Sequence, residues 1–210
     1  MRIGVFGGSF DPVHYGHLVL AEQCREQVSL DRVLFVPAGM PPHKAGMRLS
    51  EPKHRTEMLR LAIAGYPEFE VSTIELERPG PSYTVDTLER LVGDNPGDEF
   101  FLLMGPDMFL DFPTWRAPRR ILELACLVVA YYPEAPVQVP DVGLDFTTKL
   151  KERVLEVRMP TVALRATDIR ARVRTGRSIR FLVPAAVECY IHEQGLYRDR
   201  WEGGTGSEEG

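Results

Sequence analysis

His14 and His17 stand three residues apart in the segment Gly7-Gly8-Ser9-Phe10-Asp11-Pro12-Val13-His14-Tyr15-Gly16-His17. On a helix that spacing puts both rings on one face, where two ring N–H groups can meet a single phosphate group. The segment follows an apolar run at residues 3–6 and opens a helical pattern at residues 14–28. Gly7 and Gly8 let the chain turn sharply and let a ligand approach the backbone, and Ser9 and Phe10 carry the turn toward the helix. The free N–H groups of a helix start then favour an anion. Histidines at this spacing also serve as metal ligands or as ordinary surface and capping residues. No third ligand of the right type lies nearby in the sequence, so no protein-held metal is expected. Neither G-x-G-x-x-G nor a terminal G-K-[ST] is present, which separates the loop from the dinucleotide fingerprint and from the NTPase phosphate loop.

Other residues with usable chemistry are spread along the chain. Lys44 follows Pro41-Pro42-His43 on a stiffened loop, which holds a cation near one place or leaves it solvated. Thr84 sits at a helix start, where its N–H is free. Gly105 and Asp107 close an apolar strand, where a carboxylate is costly without partners; a nucleotide contact and a turn cap both suit Asp107. Trp115 reads either as core or as a stacking wall. Between Arg165 and Arg180 there are six arginines and one acid, Asp168. The stretch fits a local anionic ligand or a solvated helix face on which Asp168 pairs with Arg172. Within it, Thr167 can cap or donate at a helix start, and Arg170 carries a guanidinium fork suited to phosphate oxygens.

The elements that must position these residues alternate in type. Strands are expected at residues 3–6, 32–36, 69–74, 100–104, 127–130 and 161–164, and helices at 14–28, 50–64, 83–92, 121–124, 167–174 and 184–193. Residues 132–160, with four prolines, read as irregular. This alternation predicts an α/β, Rossmann-like domain with a mainly parallel central sheet and a small helical C-terminal part at about 165–197. Residues 1–197 are expected to form one domain, followed by a flexible tail at 198–210 rich in glycine and glutamate. In such sheets ligands bind at the carboxyl ends of the strands, near the switch point in strand order.

A net charge of −5 excludes a general nucleic-acid footprint. No apolar run reaches the roughly 18 residues of a membrane span, and the first residues lack the pattern of a secretory signal. Three scattered cysteines, Cys24, Cys126 and Cys189, give no disulfide framework. A cytoplasmic location is expected, with neither nucleic acid nor membrane as partner.

The tetrad His14-Tyr15-Gly16-His17 matches the (H/T)xGH signature of the nucleotidyltransferase superfamily, and the eleven-residue segment around it resembles the bacterial nicotinate-nucleotide adenylyltransferases. Further segments resemble the same family: Pro41-Pro42-His43-Lys44, the stretch from Ser82 to Leu88, Gly105-Pro106-Asp107 with Phe109 and Trp115, Thr167-Asp168-Ile169-Arg170, and Val187 to Tyr197. One place departs from the pattern: Arg165 and Ala166 stand where the family usually has two serines, so two hydroxyl donors are missing.

The resemblance implies transfer of the adenylyl group of ATP to nicotinate mononucleotide, giving nicotinate adenine dinucleotide (deamido-NAD) and pyrophosphate. It assigns His14 and His17 to catalysis at the phosphates. Gly7, Gly8, Ser9, Phe10, His14, His17, Lys44, Gly105, Asp107, Thr167 and Arg170 then bind ATP. Ser9, Lys44, Thr84, Asp107 and Trp115 bind the mononucleotide, and Mg²⁺ arrives with the nucleotide. The rival readings are a superfamily enzyme acting on nicotinamide mononucleotide or another phosphate acceptor such as pantetheine phosphate, and a non-catalytic nucleotide sensor. Enzymes acting on pantetheine phosphate are generally shorter and lack the Ser82–Leu88 and Trp115 regions. A sensor needs affinity but not transition-state donors, which the histidine pair supplies.

Overall fold

The computed structural model of the protein describes residues 1–40, 49–132, 139–140 and 143–198. The strands are β1 (Arg2–Gly8), β2 (Arg32–Pro37), β3 (Phe69–Val71), β4 (Glu99–Met104), β5 (Ala125–Tyr131) and β6 (Val154–Arg158). The helices are α1 (Tyr15–Val28), α2 (Pro52–Ile63), α3 (Thr84–Asp94), α4 (Pro106–Asp111), α5 (Pro118–Leu124), α6 (Leu144–Glu152), α7 (Ala166–Arg174) and α8 (Ala185–Glu193). A short 3₁₀ turn, Phe112–Thr114, follows α4.

All six strands run parallel, in the order β3-β2-β1-β4-β5-β6. Successive side chains of a strand face opposite sides, so each apolar strand supplies two cores. Phe6, Phe35, Phe101, Leu103, Val128 and Val157 pack with residues of α1, α2, α7 and α8. Ile3, Val5, Val36, Leu102, Met104 and Val129 pack with residues of α3, α4, α5 and α6. Helices on both faces explain why the central strands read as nearly continuous apolar runs. The strand order reverses between β1 and β4, and the crevice at their carboxyl ends is the expected ligand site of such a sheet.

Three expectations need correction. Residues 161–164 form no strand: β6 already fills the open edge of β5, from Leu127↔Val154 to Tyr131↔Arg158, and the chain then leaves the sheet. The irregular stretch at 132–160 contains α6 and β6. β6 escaped notice because it is an edge strand with a single fully buried residue, Val157, between Glu156 and Arg158. The strand expected at 69–74 stops at Val71, since a turn closed by Leu76 N–H to Thr73 O draws the chain away. Among the described residues no helix is long and apolar enough to cross a membrane.

Candidate active site

β1 delivers the glycine pair to the switch point. A Cβ on Gly7 would meet nothing within 4 Å, so its backbone faces open space. Gly8 turns the other way: a Cβ there would lie 2.9 Å from the Phe10 ring. That ring is fully buried, with φ of 48° at its own residue, and packs against Phe6 and Phe35 at 5.4 and 5.7 Å. The Phe10 side chain therefore braces the loop from below and is closed to a ligand.

The same brace supports the histidines. His14 is the N-cap of α1, and its N–H donates to His17 Nδ1 at 3.2 Å. An accepting Nδ1 leaves the neutral His17 ring with its proton on Nε2. The two rings stack with centroids 3.7 Å apart, and the Phe10 ring meets His17 edge-on at 5.1 Å. Gly16 explains the third position of the tetrad. A Cβ there would lie 3.0 Å from His14 Nδ1, so a side chain would displace the His14 ring.

His14 is buried, and its Nδ1 has no hydrogen-bond partner among the described residues. Burial pushes its pKa down from 6.5 to about 4. Between those values the unfolded chain binds the extra proton, so stability is full above about pH 6.5 and is lost as pH falls toward 4. The expected loss at about pH 4.5 is about 2 to 3 kcal/mol relative to neutral pH. Urea unfolding across this range measures it, and His14→Gln should remove that share of the slope. An unchanged slope in the variant would assign the acid sensitivity elsewhere.

A buried polar hub fastens the loop to the rest of the chain. Asp11 is 2% exposed. Its carboxylate accepts the Ser50 N–H at 3.0 Å and the Tyr197 hydroxyl at 2.6 Å, and its carbonyl accepts Arg170 Nη1 at 2.7 Å. Arg55, 1% exposed, donates to Ser50 O and Ser9 O, each at 3.0 Å. Desolvation lowers the Arg55 pKa, and the nearby Asp11 charge opposes that. Burial and the adjacent Asp11 push the Tyr197 pKa well up, so Tyr197 remains a donor. Arg170 thus spends one nitrogen on the loop. α7, which begins one residue after its N-cap Arg165, is brought beside α1, since Leu164 Cβ lies 3.7 Å from a Cβ built on Gly16. Thr167 and Arg165 are exposed there, and Arg165 makes no side-chain cap.

Across the switch point, Gly105 caps α4 and Asp107 lies exposed in its first turn. A Cβ on Gly105, like one on Gly7, would meet nothing within 4 Å. Thr84 is the first residue of α3, where helix geometry leaves its N–H without a helical acceptor. Trp115 is partly buried, 5.6 Å from the Phe112 ring. Its neighbour Arg116 lies 4.5 Å over the ring of Tyr83, the N-cap of α3, which brings the tryptophan segment beside Thr84. Phe109 is fully buried core and forms no part of an open wall. Lys44 lies outside the described residues, as does the tail from 199.

Asp11 and Tyr197 stand inside motifs, yet nothing local in the sequence signals that they pair. Arg55 had a legible signal. It falls in register with Met58, Leu59 and Ala62 on the buried side of α2, an arginine on an apolar stripe. Glu75, buried near the start of α3, gave none.

A family model described as cytidylyltransferase-like matches residues 5–172. A probable nicotinate-nucleotide adenylyltransferase of Thermomicrobium roseum is 47% identical over 197 residues, covering 94% of this chain and 92% of the relative. One from Roseiflexus sp. is 47% identical over 93% of this chain and 98% of its own. The chain belongs to the nicotinate-nucleotide adenylyltransferase family. The fold matches the Plasmodium falciparum nicotinic acid mononucleotide adenylyltransferase complexed with NaAD, with a TM-score of 0.77 at 16% identity over 93% of this chain and 97% of that one. In this chain the reversed strand order and the histidine pair at the start of α1 meet at the carboxyl end of β1.

Proposed function

We propose that the crevice between β1 and β4 joins ATP to nicotinate mononucleotide, forming nicotinate adenine dinucleotide and releasing pyrophosphate. The observation that carries the reading is the fixed His14–His17 pair at the start of α1, beside the open backbone of Gly7. A phosphate oxygen of the mononucleotide attacks the α-phosphorus of ATP, and pyrophosphate leaves. The nucleophile is already anionic at neutral pH, so no strong general base is required. The protein's work is positioning and stabilisation of developing charge.

In this reading His17 Nε2–H and the His14 ring donate to the phosphates where charge grows. Thr167, the remaining guanidinium nitrogens of Arg170, and Lys44 hold the triphosphate and the leaving pyrophosphate. First-turn N–H groups of α7 replace part of what the missing serine pair would supply. Gly7, Gly8, Ser9 and Gly105 admit the nucleotides to the backbone, and Asp107 is offered to a ribose. The Thr84 N–H takes the nicotinate carboxylate while Trp115 stacks on the ring. Mg²⁺ comes as part of the nucleotide, a small hard cation usually shared between phosphates and water. Asp11 is assigned to the loop instead, its buried carboxylate accepting the Ser50 N–H and the Tyr197 hydroxyl. The working compartment proposed is the cytoplasm.

Pyrophosphate release on mixing ATP, Mg²⁺ and nicotinate mononucleotide is the direct test, run beside nicotinamide mononucleotide. The helix-start N–H of Thr84 predicts a higher specificity constant for the acid. Since an amide carbonyl mimics part of a carboxylate, equal constants would defeat the choice of acceptor. ATP binding without release would favour a sensor.

A further inference from the structure

Glu75 is a buried carboxylate, 8% exposed, that the phosphate chemistry does not use. It lies in the turn after β3 and accepts the Thr87 hydroxyl, from the first turn of α3, at 2.8 Å. The Ser82 side chain and the Gly39 backbone lie close enough to favour its charged form. Ser82 Oγ in turn accepts the Gly39 and Met40 N–H groups at 3.1 and 3.2 Å, and the Ser82 N–H donates to Met40 O at 2.9 Å. The chain after β2 is thereby strapped to the residues that lead into α3. The fit is close: a Cβ on Gly39 would lie 2.8 Å from Glu75 O and 3.0 Å from Ser82 Oγ.

The polarity of this network runs one way. A carboxylate only accepts, so it takes hydroxyl and N–H donors without competition. Ser82 Oγ, accepting the Gly39 and Met40 N–H groups, turns its lone pairs to the strap. Burial raises the Glu75 pKa, while the donors from Thr87, Ser82 and Gly39 and the nearby Arg78 charge counter it. The group is costly where it stands, and the strap it adjoins is anchored at Ser82, two residues before Thr84.

We infer that Glu75 is a positioning residue for the mononucleotide half of the site, setting the β2 end against the start of α3 so that the Thr84 N–H and Trp115 bracket the pyridine ring. The inference rests on the acceptor reading above. A residue that only buttresses the fold would weaken both substrates together or neither. A positioning residue splits them, because the ATP half hangs on α1, α7 and the Asp11 hub.

The test is steady-state kinetics of the full chain with each substrate varied, on wild type, Glu75→Gln, Ser82→Ala, Thr87→Val and Thr87→Ser. Glutamine brings an NH₂ group to a site built of donors, so one link of the strap must open. The KM for nicotinate mononucleotide should rise roughly tenfold, equivalent to the loss of about one or two hydrogen bonds. The KM for ATP and kcat should stay within about twofold. Thr87→Ser keeps the hydroxyl and should stay close to wild type, whereas Thr87→Val should follow Glu75→Gln. If Glu75→Gln does not fold, Ser82→Ala must show the same split. A folded variant with unchanged KM for the mononucleotide, or with both KM values rising in step, would overturn the inference while wild type still uses the acid. Wild type that transfers adenylyl only to some other acceptor would overturn the acceptor reading, and this inference with it.

Discussion

His17→Ala should leave a folded protein that turns over roughly 10²- to 10³-fold more slowly, the loss expected of one preorganised donor worth roughly 2.7–4 kcal/mol at the transition state. The contacts that fix the His17 ring include the His14 N–H on Nδ1 at 3.2 Å, the His14 ring stacked at 3.7 Å, the Phe10 edge at 5.1 Å and the Phe6 ring at 6.0 Å. The ring therefore needs no reorganisation as charge develops, and its Nε2–H has one direction to point. Alanine deletes the donor and leaves the His14 N–H to water, at a cost typical of a lost helix cap, about 1 kcal/mol. Stability and rate should thus part company. Single-turnover measurement with ATP and nicotinate mononucleotide, alongside thermal unfolding, separates them. Near-normal turnover in the folded variant would remove His17 from the chemistry.

The loop around that histidine was legible in the sequence because its residues act locally. Gly7, Gly8, His14 and His17 are neighbours in the chain, and strand, turn and helix start follow from periodicity and glycine alone. The parallel sheet was legible for a related reason, since strands covered on both faces are apolar throughout. β6 and α6 were not, because an edge strand carrying Glu156 and Arg158 has no apolar run to find. Non-local partners are the other gap. Asp11, Ser50, Arg170 and Tyr197 meet across as many as 186 positions, and no spacing rule brings Glu75 to Ser82 and Gly39. In the same way Phe10 looks like a loop residue open to ligand until Phe6 and Phe35 are seen to enclose it. The sequence names the groups that can touch phosphate, whereas the groups that hold them still are set by tertiary packing.

Asp11→Ala should destabilise the protein by about 3–5 kcal/mol, because two hydrogen bonds to a charged group are lost together and the buried Arg55 loses a nearby opposite charge. For a chain of this size that corresponds to a fall in Tm of roughly 6–20 °C. Part of the effect comes from Arg55. Its guanidinium is 1% exposed and donates to two backbone carbonyls, Ser50 O and Ser9 O, while Asp11 supplies the opposing charge. Deleting the carboxylate also strands the Ser50 N–H and the Tyr197 hydroxyl. Tyr197→Phe removes a single hydrogen bond to a charged group and should cost only about 1.5–3 kcal/mol. It leaves Asp11 with its Ser50 contact and leaves Arg55 with its counter-charge. The order, Asp11→Ala well below Tyr197→Phe and that below wild type, is what distinguishes a charge-centred hub from a simple hydrogen-bond clasp. Equal loss in the two variants, measured by urea unfolding at neutral pH, would mean that Arg55 does not depend on Asp11. The same hub carries a functional consequence: Arg170, proposed to grip the triphosphate, is tied to the Asp11 carbonyl and so to the loop that holds His14 and His17.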